Sequence, residues 1–423
     1  MKRLAILAIL LCCVAGAVRG LERFPPPDFE SGYKLPLTTT PVPRSDLMEG
    51  IDLAVLVLAL AAASYFALKR RSRRALFIVM LGSLVYFGFY RKGCVCAIGA
   101  IQNVTLALFD SGYAIPLTVV GFFVAPLAAT LLFGRTFCAS VCPLGAIQDV
   151  VIVKPVKVPA WLEHGLGLLA YIYLGLAVLF AATGSAFLLC EYDPFVAFFR
   201  RTGTLPMLAL GVGFLVLGVF VGRPYCRFFC PYGALVRVLS RISWLHARIT
   251  PAECIQCRLC EETCPFGAIR KPALGLAEPE RAEGRKRLAA LVVLVPVLVA
   301  MGGLLGARLS PVMARMHATV RLADRMQLEE SGEVTDTAEA ADAFRATGRP
   351  VQELYDEAAA IGRRFGRGGW AFGGWVGLVV GVKLVHLSIR RRRTDWEPDR
   401  AACVSCGRCF KYCPVELKPR PPV

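Results

Sequence analysis

Seven apolar runs of near-membrane length constrain this chain before anything else does. They lie at about 51–68, 75–90, 113–133, 165–189, 206–222, 288–307 and 370–389. Roughly 20 such residues cross the hydrocarbon core of a bilayer. Inside that core every backbone N–H and C=O must find its partner within the segment, so runs of this kind fold as helices. The expectation is an all-α integral membrane protein with about seven transmembrane helices. Charge within the runs is confined to Lys383, with Asp52 at a boundary. That argues against a transporter, whose ion path needs ionisable groups in the membrane. The net charge of +18 comes from the loops. "KRRSRR" (69–74) and "RRRR" (390–393) each close a span, as inner-face anchors do. The basicity therefore reads as topology and contact with the lipid bilayer, not as a nucleic-acid surface.

"MKRLAILAILLCCVAGAVRG" (1–20) reads as a signal peptide or N-terminal anchor, which places the Pro/Thr-rich segment 21–50 outside. From there the spans divide the chain into a transmembrane domain (51–245), an inner segment with linker (246–287) and a span (288–307). An outer helical insert (308–369), a last span (370–389) and an inner tail (390–423) follow. In the insert, His317 with Met313 and Met316 reads as a packing face rather than a metal site. This layout implies a multi-pass protein of a bacterial-type cytoplasmic membrane.

Within that frame the chain holds 17 cysteines, most of them in repeated phrases. "CIQCRLCEETCPFGAI" (254–269) spaces Cys254, Cys257, Cys260 and Cys264-Pro265 as bacterial ferredoxins space their [4Fe–4S] ligands. "CVSCGRCFKYCPVELK" (403–418) repeats the spacing with Cys403, Cys406, Cys409 and Cys413-Pro414. Three thiolates from one tight loop hold a cube; the proline then turns the chain away, so the fourth aims elsewhere. In two-cluster ferredoxins the fourth Cys of each run serves the other cluster. The expected sets are Cys254, Cys257, Cys260 and Cys413 for one [4Fe–4S] cluster, and Cys403, Cys406, Cys409 and Cys264 for another. Both runs must then share one membrane face, as a split ferredoxin-like module. The charge-derived topology makes that face cytoplasmic, where reducing conditions keep thiolates out of disulfides. Two zinc sites would also use four Cys each, but this spacing occurring twice favours iron–sulfur.

"FGRTFCASVCPLGAI" (133–147) and "VGRPYCRFFCPYGAL" (221–235) form an internal repeat at the inner ends of two spans. Cys138 with Cys142, and Cys226 with Cys230, stand at i and i+4, the spacing of one helix face. The four thiols suit an additional cluster or a redox-active dithiol; packing of small polarizable side chains is the competing reading. "GCVCAIGAIQN" (93–103) repeats the tail of the phrase again. The topology puts its Cys94 and Cys96 on the outer face with Cys190 of "LLCEYDPF". These three read as an outer redox site or an inert disulfide, separated from the other motifs by about 30 Å of hydrocarbon.

The paired CxxxCP motifs and the doubled ferredoxin motif, over 51–275 and 395–418, resemble the NosR/NapH-type membrane polyferredoxins. The resemblance implies an electron-transfer subunit rather than a stand-alone enzyme. It would relay electrons between a cytoplasmic or quinol donor and an extracytoplasmic acceptor, beside a respiratory reductase. The Ser/Thr-Gly-Ala-Thr site for covalent flavin found in NosR has no counterpart in this sequence, so a flavin would sit on a partner redox protein. Lys383 and His386 are candidates to touch a quinone headgroup, against a packing role. A second function class shares every motif: a reductase of copper or another metal ion that assists assembly of a respiratory enzyme.

Overall fold

The computed structural model describes residues 45–93, 96–249, 254–272, 281–334, 338–389, 393 and 395–415. The expected signal segment 1–20, nearly all of 21–50, Cys94 and most of the basic run 390–393 lie outside the described residues.

The described residues are mostly helical. α1 (Asp46–Leu68) and α2 (Arg73–Ser83) form the first hairpin, and α2 continues as a π-helix over Leu84–Tyr90. Next come α3 (Ala97–Phe109), α4 (Leu117–Phe133), α5 (Pro143–Val150), α6 (Leu169–Ala182), α7 (Leu205–Phe220) and α8 (Pro231–Arg241). They close around a core that includes Leu56, Met80, Phe87, Ile98, Phe122 and Ile147. The second part consists of α9 (Arg281–Ala314), α10 (Ala318–Glu330), α11 (Glu339–Ala346) and α12 (Val351–Ser388).

Among the described residues five helices have the length and apolarity to cross a membrane, where seven spans were expected: Asp46–Leu68, Arg73–Tyr90, Ala160–Ala182, Glu283–Ala314 and Val351–Ser388. The expected spans at 113–133 and 206–222 become α4 and α7, of 17 and 16 residues. At about 1.5 Å per residue both fall short of a hydrocarbon layer of about 30 Å. The cause lies at their ends. Gly134, at φ 72°, ends α4, and the extended Val221 ends α7, after which Arg223 at φ 50° turns the chain sharply. The cysteine phrases therefore fold back against the bundle instead of prolonging the helices. α3, of 13 residues, lies within the stretch expected as the outer loop 91–112, and packs against α4 and α6.

α9 and α12 pack as an antiparallel pair along a seam of glycines. Gly369, Gly373, Gly377 and Gly381 recur every four residues, on one helix face. They meet Gly302, Gly306, Leu298 and Val295 of α9. Small residues let the two backbones approach closely, the contact that holds helices together where lipid removes the hydrophobic drive. The opposite side of α9 leaves Val293, Met301, Leu304 and Leu305 exposed, as a lipid-facing surface requires. Between the two long helices α10 and α11 form a small core with Met326, Phe344 and Leu354. His317 caps α10, its Nδ1 accepting from the Thr319 backbone N–H at 3.2 Å.

A Cβ on Gly373 would overlap the Gly302 carbonyl, whereas one on Gly362 meets nothing within 4 Å. Gly373→Leu is therefore expected to destabilise the pair by about 1–3 kcal/mol or more through overpacking. Gly362→Ala should be neutral or slightly stabilising. Proteolysis of the insert and the unfolding midpoint in detergent read both; equal behaviour of the two variants contradicts the glycine seam.

Candidate iron–sulfur sites

The two ferredoxin-type runs, far apart in sequence, dock into one module. β1 (Ile269–Arg270) pairs antiparallel with β2 (Glu397–Pro398). Trp396 Nε1 donates to Gln256 Oε1 at 2.6 Å, and Arg270 pairs with Asp399 at 2.8 Å. Both cysteine loops curl by the same device. Gln256 and Arg258 in the first, and Ser405 and Gly407 at the matching positions of the second, take φ between 53° and 72°. The loops then wrap their thiols inward. One cavity is lined by Cys254, Cys257, Cys260 and Cys413, with Ile249 and Trp396. A second is lined by Cys403, Cys406, Cys409 and Cys264, with Phe266 and Ile269. The fourth cysteine of each run thus stands with the other run's three.

The donor set suits an iron–sulfur cube. Burial pushes the Cys403 thiol up to about 12, and also raises Cys264, Cys260 and Cys409. Such thiols stay protonated near neutral pH unless a metal takes them, because a coordinated thiol loses its proton outright. Among the described residues no three His, Cys, Asp or Glu side chains converge tightly enough for one metal ion. Thiols spread around a cavity match the corners of a cluster better than a single zinc with sulfurs at about 2.3 Å.

The second cavity abuts the membrane domain through Cys138, which packs against Phe266, Val404 and Cys406. Asp149 of α5 holds this joint. Its side chain is fully buried and pairs with Arg73 at 2.6 Å, Arg223 at 3.2 Å and Arg408 at 3.3 Å. Arg73 also donates to the Cys406 carbonyl at 3.0 Å. Arg223 donates to the carbonyls of Cys138 and Ala139 and lies over the Phe266 ring at 5.7 Å. Arg135, the counterpart of Arg223 in the repeat, donates to the Ala401 carbonyl at 2.8 Å.

The CxxxCP pairs do not sit on continuous helices, as their spacing suggested. Cys138 lies in a π-turn, Phe137–Val141, and Cys226 in the short helix Pro224–Phe228. Cys142 and Cys230 are the extended N-cap residues of α5 and α8. Pro143 and Pro231 force this break, since proline drives the residue before it out of the helical region while suiting the first helical turn. The result still gathers all four thiols: Cys142 is within electrostatic reach of Cys226, Cys138 and Cys230. Gln148 ties the halves, donating to Cys226 Sγ at 3.2 Å and accepting from the Tyr225 N–H at 3.0 Å. The Gly233 N–H donates to Cys230 Sγ at 3.2 Å, and Arg135 reaches Cys138 Sγ at 3.8 Å.

Cys96 corrects the expected separation of the three outer thiols from the other motifs. It does not stand a membrane's width from the other motifs but shares a cavity with Cys142, walled by Leu56, Phe87, Phe122 and Phe137. It is the extended N-cap of α3, as Cys142 is of α5. Gln102 Oε1 accepts from the Leu189 N–H at 2.9 Å, one residue before Cys190, as Gln148 accepts one residue before Cys226. "GAIQ" at 99–102 and at 145–148 is thus one structural unit used twice. The repeated letters carried that signal, but counting spans assigned the first copy to a loop. Cys190 lies beside it, its Sγ 3.4 Å from where a Cβ on Gly99 would stand. His386 and Lys383 line a large cleft under the module.

Residues 115–160 and 204–250 match a family profile described as a 4Fe-4S binding domain, and 247–270 match a second profile of the same description. An uncharacterised protein of Methanocaldococcus jannaschii is 29% identical over 43% of this chain and 77% of its own. The putative electron transport protein YccM of Escherichia coli is 29% identical over 34% of this chain and 44% of its own. The regulatory protein NosR of Pseudomonas aeruginosa is 30% identical over 44% of this chain and 28% of its own. The chain thus spans less than half the length of YccM and of NosR. No solved structure matches it.

Asp149 gives a test of the joint. Burial works against its charge, but Arg223, Arg408 and Arg73 overcome this and hold the carboxyl well below the usual carboxylate range. A depressed folded-state pKa stabilises fully above the unfolded value of about 3.9 and loses that contribution as pH falls through the folded value. Asp149→Asn strands three cations and should destabilise by about 3–5 kcal/mol, loosening the module. Unfolding in detergent at neutral pH checks this, and an unchanged midpoint contradicts it.

Proposed function

We propose that this chain, which belongs to the NosR/NapH-type family of 4Fe–4S membrane proteins, relays single electrons through the membrane domain by way of its cysteine groups. The observation that carries this reading is the arrangement of thiols in series. The cavity of Cys254, Cys257, Cys260 and Cys413 lies beside that of Cys403, Cys406, Cys409 and Cys264. Cys138 touches the latter, Cys226, Cys142 and Cys230 follow, and Cys96 and Cys190 lie beyond. Each four-thiol set is assigned one [4Fe–4S] cluster, which when bound takes up and gives up one electron.

The protein's own part is ligation, burial and hydrogen bonding to sulfur, which set the potential of each step. N–H groups of Arg135, Gln148 and Gly233 aimed at Cys138, Cys226 and Cys230 suit a further redox site there, a cluster or a dithiol. Cys257 and the neighbouring Ile255 are exposed, which suits docking of a soluble redox partner at that end of the module. The cytoplasmic assignment of the module is supported by the basic turn after α1. Arg71 lies over Phe410 at 5.6 Å and Arg73 bonds the Cys406 carbonyl, so the positive loop and the module share a face. Electrons would pass from a cytoplasmic or quinol donor to an extracytoplasmic acceptor near Cys190.

Purified without oxygen, the chain should carry about eight iron atoms for two cubes, and more if the CxxxCP thiols hold another cluster. Zinc in their place overturns the assignment. Cys413→Ser should alter the resonance of the cluster on Cys254, Cys257 and Cys260 and leave the other intact; an unaltered resonance means that each run ligates locally. Cys142→Ser or Cys230→Ser should stop transfer to an outer acceptor while both module clusters remain visible. Transfer at the normal rate in both variants removes these thiols from the route.

A further inference from the structure

A cleft of about 1450 Å³ lies between the ferredoxin module and the module-side ends of α6, α8 and α12. It exceeds the 300–1,000 Å³ usual for a small-molecule site. Its walls are of two kinds. Leu168 and Tyr171 at the start of α6, with Trp375, Leu378, Val379 and Val382 of α12, form an apolar floor. The rest carries twelve Arg and Lys side chains against four carboxylates, Glu163, Asp395, Glu397 and Asp399. Two of the four are already engaged, Glu163 with Arg227 at 2.9 Å and Asp399 with Arg270 at 2.8 Å.

The surplus charge converges. Arg237 and Arg241 of α8 stand within electrostatic reach of Lys383 of α12, as does Glu163, which is already engaged by Arg227. Among the described residues none of the three forms an ion pair with a carboxylate. Burial, and then the Arg135 charge, hold Arg237 down to about 10, while burial with Arg400 and Arg248 holds His246 down to about 4. Arg135 itself is 3% exposed and lines the cleft, and its buried Nε has no hydrogen-bond partner. Arg237 and Lys383 are half-buried and Arg241 is exposed at the mouth, while Arg135 is kept from water, which is costly for a cation unless an anion accompanies it. With the apolar floor beside them, they complement one chemistry, a phosphate ester attached to an apolar body.

We infer that the cleft binds an anionic phospholipid, its phosphate on Arg237, Arg241 and Lys383 and its acyl chains along Leu378, Val379 and Val382. Such basic pockets between membrane helices suit acidic headgroups. The floor favours a lipid over a soluble phosphate ester: Leu378 and Val382 lie on the membrane-length α12 and are 39% and 47% exposed, opening the cleft towards the lipid-facing surface. A neutral quinone fits the floor but leaves the cations unmatched. Cys138 and Cys226 also line the cleft, so the bound lipid shields these thiols from water and ties α12 to the module. The assignment does not depend on electron relay.

The test compares the full chain with the variant Arg237→Gln/Arg241→Gln/Lys383→Gln, both purified in mild detergent. Extracted lipid is quantified by mass spectrometry, and iron content checks that the variant has folded. The wild type should retain phosphatidylglycerol or cardiolipin, and the variant should lose it several-fold at unchanged iron content. If the triple variant fails to fold, Lys383→Gln alone should show a smaller loss. In vesicles of phosphatidylcholine, adding phosphatidylglycerol should raise the unfolding midpoint of the wild type only. Equal retention of acidic lipid by wild type and variant overturns the assignment. So does a site-dependent quinone in place of phospholipid, or inorganic phosphate that reproduces the rise in phosphatidylcholine alone.

Discussion

One buried carboxylate fixes how the two parts of this protein meet. Asp149 gathers Arg73 from the first hairpin, Arg223 from the second cysteine repeat and Arg408 from the second ferredoxin-type run. Two of the three donate further N–H groups nearby, Arg73 to the Cys406 carbonyl and Arg223 to those of Cys138 and Ala139. The backbone that presents thiols on both sides of the joint is therefore set by a single charge. This also explains where the internal repeat breaks. Residue 149 of the first phrase is Asp, whereas its counterpart in the second is Arg237. Only the first phrase faces Arg408 across the joint, so only there does a carboxylate have a cation cluster to neutralise; the second turns its arginine to the basic cleft.

Much of this could be read from the chain alone. The x2-x2-x3-Cys-Pro spacing identified the two ferredoxin-type runs, and the structure groups their thiols in the sets that crossed pairing requires. The rest was hidden for identifiable reasons. Hydropathy sees α4 and α7 as spans because their composition is apolar, but it does not register that the backbone at Gly134 and Val221 ends them early. It sees α3 as part of a loop because 13 residues are too few to cross. The placement of Cys96 depends on Gln102 clasping Leu189, a contact across 87 positions whose one trace in the sequence was the repeated GAIQ, overridden by counting spans. The helix breaks at Cys142 and Cys230 were, by contrast, written in Pro143 and Pro231 and obscured only by reading the i and i+4 spacing as continuous helix.

The insertion that divides the ferredoxin module is tolerable because it is closed at its root. α9 and α12 run antiparallel along their glycine seam, so the chain returns beside the point where it left. Loop-closure entropy grows only slowly with length. Once the seam forms, the effective connection between the halves is the width of two helices rather than the contour of the whole insert. The short pairing of β1 with β2 then has little further distance to close.

The same division imposes an order on how the protein is made. Neither four-thiol cavity is complete until residues 403–413 have been synthesised, because each needs cysteines from that last run. By then α9 and α12 precede it in the chain and have had to enter the membrane as a pair. Were only one of them inserted, the two runs would lie on opposite faces and both cavities would stay open. Completion of either four-cysteine cavity thus doubles as a check on insertion: the nascent chain can close them only after the hairpin of α9 and α12 has been threaded correctly.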